Sequence, residues 1–412
     1  MVPNGWENKT LETLCEPTAP ITYGVLKPGD YVDGGTPLLQ IKDLLNDLSD
    51  IDSLHRISHE LDLEYRRSRI ATNDILISLV GTVGRIGLVP EELNGANIHR
   101  NLGRIRTKNY EFLVHYLNSD IAKNKIGLSS SGSSQSALNL SVLKALKVPV
   151  PPLPEQRKIA QILSTWDRGI ATTEKLIDAS KQQKKALMQQ LLTGKKRLID
   201  PETGKAFEGE WEEVKLKAIT QFIKDGTHGT HKRYDKGVPM LSAANITKNH
   251  KVNFDGAPNI SHDDYNKIHS KYEINEGDIL LTVVGTLGRV ALVPKAMKFT
   301  LQRSVAIIRT SNKASNQFLM QVFSSKEFNN LLMSKSNSTA QAGVYLGELA
   351  KIKLLLPSLE EQQKIASILA AADKDIELLE AKLAHLKQEK KALMQQLLTG
   401  KRRVKVAETE AA

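Results

Sequence analysis

The twelve residues KKALMQQLLTGK occupy Lys184–Lys195 and recur unchanged at Lys390–Lys401, an offset of 206 positions. The repeat extends upstream, because PLPEQRKIAQIL (Pro152–Leu163) matches SLEEQQKIASIL (Ser358–Leu369) at the same offset. Self-similarity at a fixed spacing indicates that one structural unit is used more than once. A run of twelve identical residues cannot be chance, so the chain is internally duplicated.

The duplication also covers the residues before these segments. NDILISLVGTVGR (Asn73–Arg85) matches GDILLTVVGTLGR (Gly277–Arg289) at an offset of 204, and GWE (Gly5–Glu7) is echoed by EWE (Glu210–Glu212). Each half therefore has a globular part followed by a helical part. The predicted divisions are a first globular domain at 1–150, a first helix at 151–200, a second globular domain at 201–356, and a second helix with its tail at 357–412.

The helical parts carry an apolar seam whose positions alternate by four and three residues. In the first helix the seam positions are Ile159, Leu163, Trp166, Ile170, Thr173, Ile177, Ser180, Lys184, Leu187 and Leu191. In the second they are Ile365, Leu369, Ala372, Ile376, Leu379, Leu383, Leu386, Lys390, Leu393 and Leu397. This 3.5-residue period is typical of a coiled coil.

The ends of both helices are marked by residues that interrupt helices. Pro151, Pro152 and Pro154 precede the first helix, and Gly194 and Gly400 stand where a left-handed residue closes a helix. The first seam would span ~49 Å at 1.5 Å per residue. We predict that the two helices bury their seams against each other. A continuous chain that joins two similar globular domains, which we call heads, favours an antiparallel pair. Two ordinary long core helices would share this geometry without a spacing role.

The globular parts have the pattern of a mixed α/β fold. DILISLVG and DILLTVVG are short apolar runs ending at Gly, which favours buried strands, and NLGRIRT and SVAIIRT follow as further strands. YEFLVHYLNSDIAKNKI and NQFLMQVFSSKEFNNLLM are typical of helices. The polar stretches Gly127–Leu140 and Ser334–Leu346 come next, and they read either as flexible loops or as backbone donors to phosphates.

The charge distribution favours a polyanionic partner that is contacted locally. The 412-residue chain has a net charge of +11, divided as −1, +5, +6 and +1 over residues 1–150, 151–200, 201–357 and 358–412. Hydrophobic residues make up 40% of the chain, which suits a globular protein, and its length suits two to four domains. Without an apolar run of membrane-spanning length or a signal-peptide pattern, the expected location is the cytoplasm. The lone Cys15 is expected to be a minor structural residue.

The residues give little support for catalysis. The phosphate-binding pattern G-x-x-x-x-G-K-[ST] does not occur, and Gly81, Gly84 and Gly87 are not spaced as a dinucleotide-binding loop. His228 and His231 lie in a glycine-rich stretch without a cysteine partner, so we expect a loop and not a metal site. The sequence predicts a binding module without a metal or cofactor of its own.

This arrangement resembles the specificity subunit of type I restriction-modification systems. The resemblance covers the whole chain and rests on the GT-x-GR element, the LPxQxKI helix entry and the terminal LMQQLLTGK. It implies two target recognition domains, each reading one half of a bipartite, asymmetric site in double-stranded DNA. It also implies that the helices act as a spacer and bind two modification (methyltransferase) subunits, and through them the restriction (motor-nuclease) subunits. S-adenosylmethionine, ATP and Mg²⁺ would then belong to those partners.

The internal repeat separates residues that hold DNA from residues that read it. Residues shared by both halves cannot distinguish two half-sites, so they suit phosphate contact or folding. The shared candidates for phosphate contact are Arg85, Arg289, Arg100 and Arg303, with a salt bridge inside the domain as the alternative for the first two. The variable segments, roughly Cys15–Ile70 and Gln221–Glu273, are where different bases would be read.

The candidate base readers come from these variable segments. Arg can bind guanine through two hydrogen bonds, and Asn or Gln can bind adenine in the same way. In the first head the candidates are Tyr23, Gln40, Lys42, His55, Arg56, Arg66, Arg67 and Arg69. In the second they are Lys224, His228, His231, Lys232, Arg233, Tyr234, Asn245 and Lys248. For any single one of them, a solvated surface side chain is the competing interpretation.

Two other classes of function are compatible with the sequence. A coiled-coil scaffold whose heads bind proteins is favoured by the net charge of −1 on the first head. A nuclease or methyltransferase with an unrecognised active site is a third alternative, which the missing motifs disfavour.

Overall fold

The computed structural model describes residues 2–45, 48, 50–130, 137–200, 203–295, 297–337 and 342–406. The chain forms two compact units, one of Met1–Glu174 with Ala381–Ala412 and the other of Lys175–Glu380. Each unit thus contains one globular head and one half of each long helix. Residues 127–130 of the first polar stretch are helical, so its interpretation as a loop is wrong there. Residues 131–136 and 338–341 lie outside the described residues, and for them the interpretation stays a prediction.

The first head contains short strands and helices in a mixed arrangement. Its strands are β1 (Glu7–Thr10), β2 (Thr22–Tyr23), β3 (Thr36–Leu39), β4 (His55–Ile57), β5 (Ile75–Ser78), β6 (Ile86–Leu88), β7 (Asn97–Ile98), β8 (Leu102–Ile105) and β9 (Lys147–Val150). Its α-helices are α1 (Leu11–Leu14), α2 (His59–Glu64), α3 (Tyr110–Asn118), α4 (Asp120–Ser130) and α5 (Leu140–Ala145). The long helix α6 (Leu153–Leu191) follows.

The second head repeats this order. Its strands are β10 (Glu212–Lys215), β11 (Thr220–Asp225), β12 (Val238–Leu241), β13 (Asn259–Ile260), β14 (Ile279–Thr282), β15 (Val290–Leu292), β16 (Thr300–Leu301), β17 (Val305–Thr310) and β18 (Lys353–Leu356). Its helices are α7 (His262–Ile268), α8 (Asn316–Ser324), α9 (Lys326–Ser334) and α10 (Leu346–Lys351), and the second long helix is α11 (Leu359–Leu397).

The sheets of the two heads have matching topologies. The first head has sheets of order β2-β8-β5-β6, β4-β3-β7 and β1-β9, and the second has β11-β17-β14-β15, β13-β12-β16 and β10-β18. Most pairs are antiparallel, whereas β3 with β7 and β12 with β16 are parallel. The predicted mixed α/β fold in two copies is therefore confirmed.

The apolar runs form strands because both faces of the four-stranded sheet are buried. Ile75 and Ile77 of β5 pack in one core with the α3 residue Phe112. Leu76, which points the other way, packs in a second core with Leu39 of β3. A strand covered on both faces must be apolar at successive positions, which explains the continuous run.

Each predicted helical stretch after the sheet is divided into two helices by a serine. Ser119 separates α3 from α4 and has extended dihedral angles, φ −70° and ψ 151°. Its hydroxyl accepts a hydrogen bond from the backbone N–H of Ala122 at 3.3 Å. Ser325 does the same between α8 and α9, accepting from Phe328 at 3.1 Å. A serine in this position satisfies a backbone donor that the new helix leaves free.

The two long helices have the predicted seam and end close to the predicted glycines. Pro154, which the sequence predicts to precede α6, instead lies in its first turn, where a missing backbone N–H costs no helical hydrogen bond. Both helices run for 39 residues, and Gly194 and Gly400, which follow them, have φ of +70° and +68°. Every seam position that the sequence predicts on α6 and α11 is buried or half-buried. In the first unit Ile159 and Leu163 share a core with Leu397.

Ion pairs show that the helices are antiparallel within each unit. In the first unit Lys390 pairs with Asp167, and Lys387 pairs with Glu174 at 2.7 Å. In the second unit the equivalent pairs are Lys184 with Asp373 at 2.5 Å and Lys181 with Glu380 at 2.7 Å. Each pair joins the carboxyl-terminal half of one helix to the amino-terminal half of the other, so the predicted antiparallel coiled coil is confirmed.

Candidate nucleic-acid interface

The repeated GT-x-GR element is a tight turn that positions an arginine at the start of a strand. In the first head, the hydroxyl of Ser78 accepts a hydrogen bond from the backbone N–H of Arg85 at 2.8 Å. In the second head, the Thr282 hydroxyl accepts from Arg289 at the same distance. Gly84 has φ of +82°, a left-handed conformation that favours glycine, and the equivalent glycine has +80°. The element therefore belongs to the shared frame and has no helix after it.

Arg85 and Arg289 are both half-buried, and their side chains differ in their contacts. Nη1 of Arg289 donates to the backbone oxygen of Ile246 at 3.1 Å. The guanidinium of Arg85 makes no hydrogen bond or ion pair with the residues that the structure describes. Neither arginine pairs with a carboxylate there. Phosphate contact stays a prediction for both.

Arg100 and Arg303 are exposed at equivalent loops. The backbone N–H of Arg100 donates to Val25 at 2.8 Å, and that of Arg303 donates to Thr227 at 3.1 Å. The residue before each acceptor is a glycine packed against the neighbouring backbone: a Cβ on Gly24 would lie 1.6 Å from the Ile98 oxygen. The glycines allow the close approach that fixes these loops beside the two arginines.

These loops meet at one end of the four-stranded sheet, which we call the loop edge. In the first head it is the end where β2 and β5 finish and β6 and β8 begin, and in the second it is the end where β11 and β14 finish and β15 and β17 begin. The backbone N–H of Leu79 donates to Asn101 at 2.8 Å, which joins the GT-x-GR turn to the Arg100 loop. Arg85 and Arg100 are therefore at the same end of the head.

Several candidate readers of the first head also lie near the loop edge. Tyr23 ends β2 and is 36% exposed, and Gln40 directly follows β3, whose Leu39 oxygen accepts from His99. Burial lowers the pKa of His99, and the nearby charges of Arg100 and His55 lower it further. Both effects favour the neutral form of His99.

The other candidates of the first head are placed differently. Lys42 is exposed in the turn after β3. Arg56 donates to the backbone oxygen of Gly35 at 3.0 Å, so part of its guanidinium is used within the head. Arg66, Arg67 and Arg69 lie at the end of the sheet opposite the loop edge, close to the chain before β2 and β5.

In the second head, most candidates lie on the loop that follows β11. Nε2 of His228 lies 2.7 Å from a carboxylate oxygen of Asp225, and Nε2 of His231 lies 3.0 Å from the Thr227 hydroxyl. Arg233 is exposed. The predicted loop is confirmed for this segment, and the described residues contain no group of three or more His, Cys, Asp or Glu side chains arranged for a metal ion.

The remaining candidates of the second head make contacts within it. The ammonium group of Lys224 lies 4.1 Å from the centre of the Tyr272 ring, and that of Lys232 lies 5.6 Å from the exposed Tyr234 ring. Lys248 lines a groove beside the long helices of the second unit.

Asn245 uses its amide inside the second head. Its Oδ1 accepts from the backbone N–H of Ser242 at 2.9 Å, and its Nδ2 donates to the Asn253 oxygen at 2.9 Å. The residue is 9% exposed. Its role in this fold is to stabilise a turn.

Sequence reasoning missed a buried ion pair that both heads share. Arg106 donates from Nε and Nη2 to the two oxygens of Asp74, each at 2.7 Å, and Arg309 donates to Asp278 at 2.8 and 2.7 Å. The aspartates are 1% and 3% exposed. The repeated aspartate and arginine were visible in the sequence, but their pairing required the strand register.

Sequence reasoning also missed a buried glutamate near the start of each long helix, which accepts hydrogen bonds from an arginine and a tryptophan. In the first unit, Glu155 accepts from Arg403 through two hydrogen bonds of 2.7 Å and from the Trp6 indole at 3.0 Å. In the second unit, Glu361 accepts from Arg197 at 2.8 Å twice and from Trp211 at 3.2 Å. The tryptophans of GWE and EWE are thus fixed to the helix entries.

Comparison with known proteins agrees with the duplication. A family described as the type I restriction modification DNA specificity domain matches the chain twice, at residues 3–182 and 208–388. The EcoBI type I restriction enzyme specificity subunit of Escherichia coli is 32% identical over 215 residues, covering 51% of this chain and 43% of that protein. The chain thus aligns with less than half of that relative.

Two further similarities extend the comparison. The MjaVIII type I restriction enzyme specificity subunit of Methanocaldococcus jannaschii is 30% identical over 288 residues, covering 67% of each chain. A solved structure described as the "Structural basis underlying complex assembly and conformational transition of the type I R-M system" has a TM-score of 0.60 at 19% identity, covering 98% of this chain and 100% of that one. At this identity it supports the fold.

Two α/β heads joined to paired long helices define an internally duplicated, two-headed coiled-coil protein. Since the family matches both halves, the chain belongs to the type I restriction-modification DNA specificity subunits, and its two globular parts are target recognition domains. No helix among the described residues is long and apolar enough to cross a membrane.

Proposed function

We propose that each head binds one half of a bipartite, asymmetric site in double-stranded DNA. The observation that carries the proposal is the loop edge, where a shared frame is combined with loops that differ between the heads. The frame supplies Arg85 and Arg100 in one head and Arg289 and Arg303 in the other. The loops beside them supply different side chains, so two heads of one fold would read two different half-sites.

The division of labour follows from what each group can recognise. Phosphate oxygens are the same in every sequence, so a shared arginine at the loop edge would position a head without specifying a base. Base edges in the major groove differ, and side chains from the variable loops would discriminate among them. Tyr23, which ends β2 at the loop edge of the first head, and Arg233, on the loop after β11 in the second head, are exposed candidates for this role.

The partners follow from family membership and the long helices. We propose that the helices set the spacing of the half-sites and bind two methyltransferase subunits, with the restriction subunits joining through that complex. S-adenosylmethionine, ATP and Mg²⁺ would be bound by those subunits, and this chain would be non-catalytic and cytoplasmic.

Single-molecule methylome sequencing of a host that expresses the chain with its partners tests the proposal. The expected result is one bipartite methylated motif, and exchange of Gln221–Glu273 for the equivalent segment of another specificity subunit should change one half of it. A motif that stays the same after the exchange would contradict the assignment of readers. A gel shift of duplex DNA with the chain and its methyltransferase subunit is a second test. If the duplex is not retained, the alternative function, a scaffold whose heads bind proteins, is favoured.

A further inference from the structure

A cavity of about 550 Å³ in the first head is rich in positive charge. It lies at the end of the four-stranded sheet opposite the loop edge, where β8 ends and β2 and β5 begin. Its charged lining consists of Arg66, Arg67, Arg69, Arg104, Arg106 and Lys144, and none of the described carboxylate side chains lines it. We call it the arginine pocket. Its size is within the range of small-ligand sites.

Only three of these six cations have a carboxylate partner among the residues that the structure describes. Arg69 pairs with Asp62, Arg106 pairs with Asp74 at 2.7 Å, and Lys144 pairs with Glu12 at 3.1 Å. The other three are Arg66, Arg67 and Arg104. With Glu16 also close enough to act on Arg104 and Arg106, the pocket has about two positive charges more than its neighbouring carboxylates balance.

Arg104 is the least expected member of the pocket because it is buried. It is 4% exposed, and its two terminal nitrogens donate to the backbone oxygens of Arg69 at 3.1 Å and Pro20 at 3.0 Å. Its Nε is buried without a hydrogen-bond partner. Burial, together with the nearby Arg106, lowers the pKa of this guanidinium. The charges of Asp74 and Glu16 act in the opposite direction, but no carboxylate among the described residues hydrogen-bonds to this buried cation, so a bound anion would further offset the cost of its burial.

The second head shows that the fold does not need this charge. Ile307 occupies the position of Arg104, since each lies opposite the equivalent residue of the central strand, Leu280 or Leu76. Glu273 occupies the position of Arg69. The backbone oxygen of Glu273 accepts a hydrogen bond from Arg309, and that of Arg69 accepts one from Arg106. These two arginines are the ones that pair with the buried aspartates of their heads. The pocket is thus a feature of the first head alone and not part of the repeated frame.

We propose that the arginine pocket binds a phosphate-type oxyanion. Several guanidinium groups converge on one cavity, and guanidinium forks suit the tetrahedral oxygens of phosphate. The source is either a phosphate of the DNA backbone or a free phosphate, inorganic or carried by a nucleotide. The proposal does not depend on DNA reading at the loop edge, because the pocket lies at the other end of the sheet.

Calorimetric titration of the full chain with inorganic phosphate, at an ionic strength held constant with KCl, tests this site. The variants are Arg104→Ile, which installs the residue of the second head, and the exposed pair Arg66→Ala with Arg67→Ala, which should fold normally. Each should bind phosphate about tenfold or more weakly, since a hydrogen bond to a charged group contributes about 1.5–3 kcal/mol. The control is Lys27→Ala with Lys123→Ala, which removes the same charge from exposed sites outside the pocket.

Saturable binding that the pocket variants weaken and the control keeps supports the proposal. The absence of saturable binding in the wild-type chain, or equal binding in the wild type, the arginine pair and the control, overturns it. If Arg104→Ile does not fold, the arginine pair still decides.

Duplex binding then distinguishes the two sources. If the double variant Arg66→Ala with Arg67→Ala lowers the slope of log duplex-binding constant against log salt concentration by about two, the anion is a phosphate of the DNA backbone. Unchanged duplex binding with loss of phosphate binding assigns it to a free anion. A chain that binds phosphate at the pocket and no DNA would contradict the proposed function while supporting the pocket.

Discussion

His115→Gln should remove an acid sensitivity from the first unit at a position where the second unit has no titrating side chain. His115 of α3 is 6% exposed, with Nε2 3.1 Å from the Ser164 hydroxyl and Nδ1 3.7 Å from a carboxylate oxygen of Asp167. Burial lowers its pKa from 6.5 to about 4, and the Asp167 charge only partly opposes this. The second unit has Gln321 at the equivalent position, where its Nε2 donates to Asp373 at 3.1 Å.

The sign of the effect follows from the lower pKa in the folded state. Below pH 6.5 the unfolded chain binds a proton that the folded chain does not, so stability is fully present above about pH 6.5 and falls as the pH approaches about 4. A shift from 6.5 to about 4 corresponds to a total loss of about 3 kcal/mol. Between pH 7 and pH 5 the expected loss is about 2 kcal/mol.

Urea unfolding of the intact chain at pH 7 and pH 5 measures this difference. The wild type should lose about 2 kcal/mol more than His115→Gln over this range. The matched variant Gln321→His should acquire a similar sensitivity in the second unit. Parallel pH profiles for the wild type and His115→Gln would refute the argument, because the other titrating groups are the same in both.

Three further predictions test the frame and the loop edge. Glu361→Ala should lower the free energy of unfolding, measured with urea, by about 3 kcal/mol, because it leaves the Arg197 guanidinium and the Trp211 indole without their shared acceptor. The control is the exposed neighbour, Glu360→Ala, which should change the free energy of unfolding by less than about 0.5 kcal/mol. Gly226→Ala should lower the free energy of unfolding by about 1–3 kcal/mol, since the added Cβ would lie 2.1 Å from the Leu301 backbone oxygen. In the control Gly347→Ala the added Cβ would have no atom within 4 Å, so the thermal midpoint should not fall. Equal losses of stability in the two variants would contradict the close-approach argument. Arg289→Ala should weaken binding to every duplex and reduce the slope of log binding constant against log salt concentration by about one. Arg233→Ala should weaken binding only to sites with the matching base. Equal losses of binding by both variants on all sequences in gel shifts would disprove the division into phosphate-contacting and base-reading residues.

The variable segments were the part of the fold that sequence comparison could not predict. Cys15–Ile70 and Gln221–Glu273 share almost no residues, yet both supply strands that join the same sheets. The reason lies in the contacts that each segment makes with frame strands outside it. Strands β3 and β12 pair with β7 and β16, and Gly24 and Gly226 each pack against a neighbouring backbone. The shared frame thus holds different sequences in one topology.

The candidate site was predicted only in part, because residue type does not reveal a side chain's partner. Arg69 and Asn245 looked suitable as readers, but one forms an ion pair with Asp62 and the other stabilises a turn. Arg104 was not predicted as a binding residue, because an arginine in an apolar strand has no local signal for burial. Its importance depends on residues up to 84 positions away in the chain.

The sequence by itself determined the duplication, the coiled-coil seam and the ends of the long helices, because periodicity, proline and glycine act locally. It also placed the buried strands, since a strand covered on both faces must be apolar throughout. Only the tertiary structure decided which charges meet. The pairing of Glu155 with Arg403, 248 residues apart, and the collection of arginines at one end of the first head both depend on how distant segments pack.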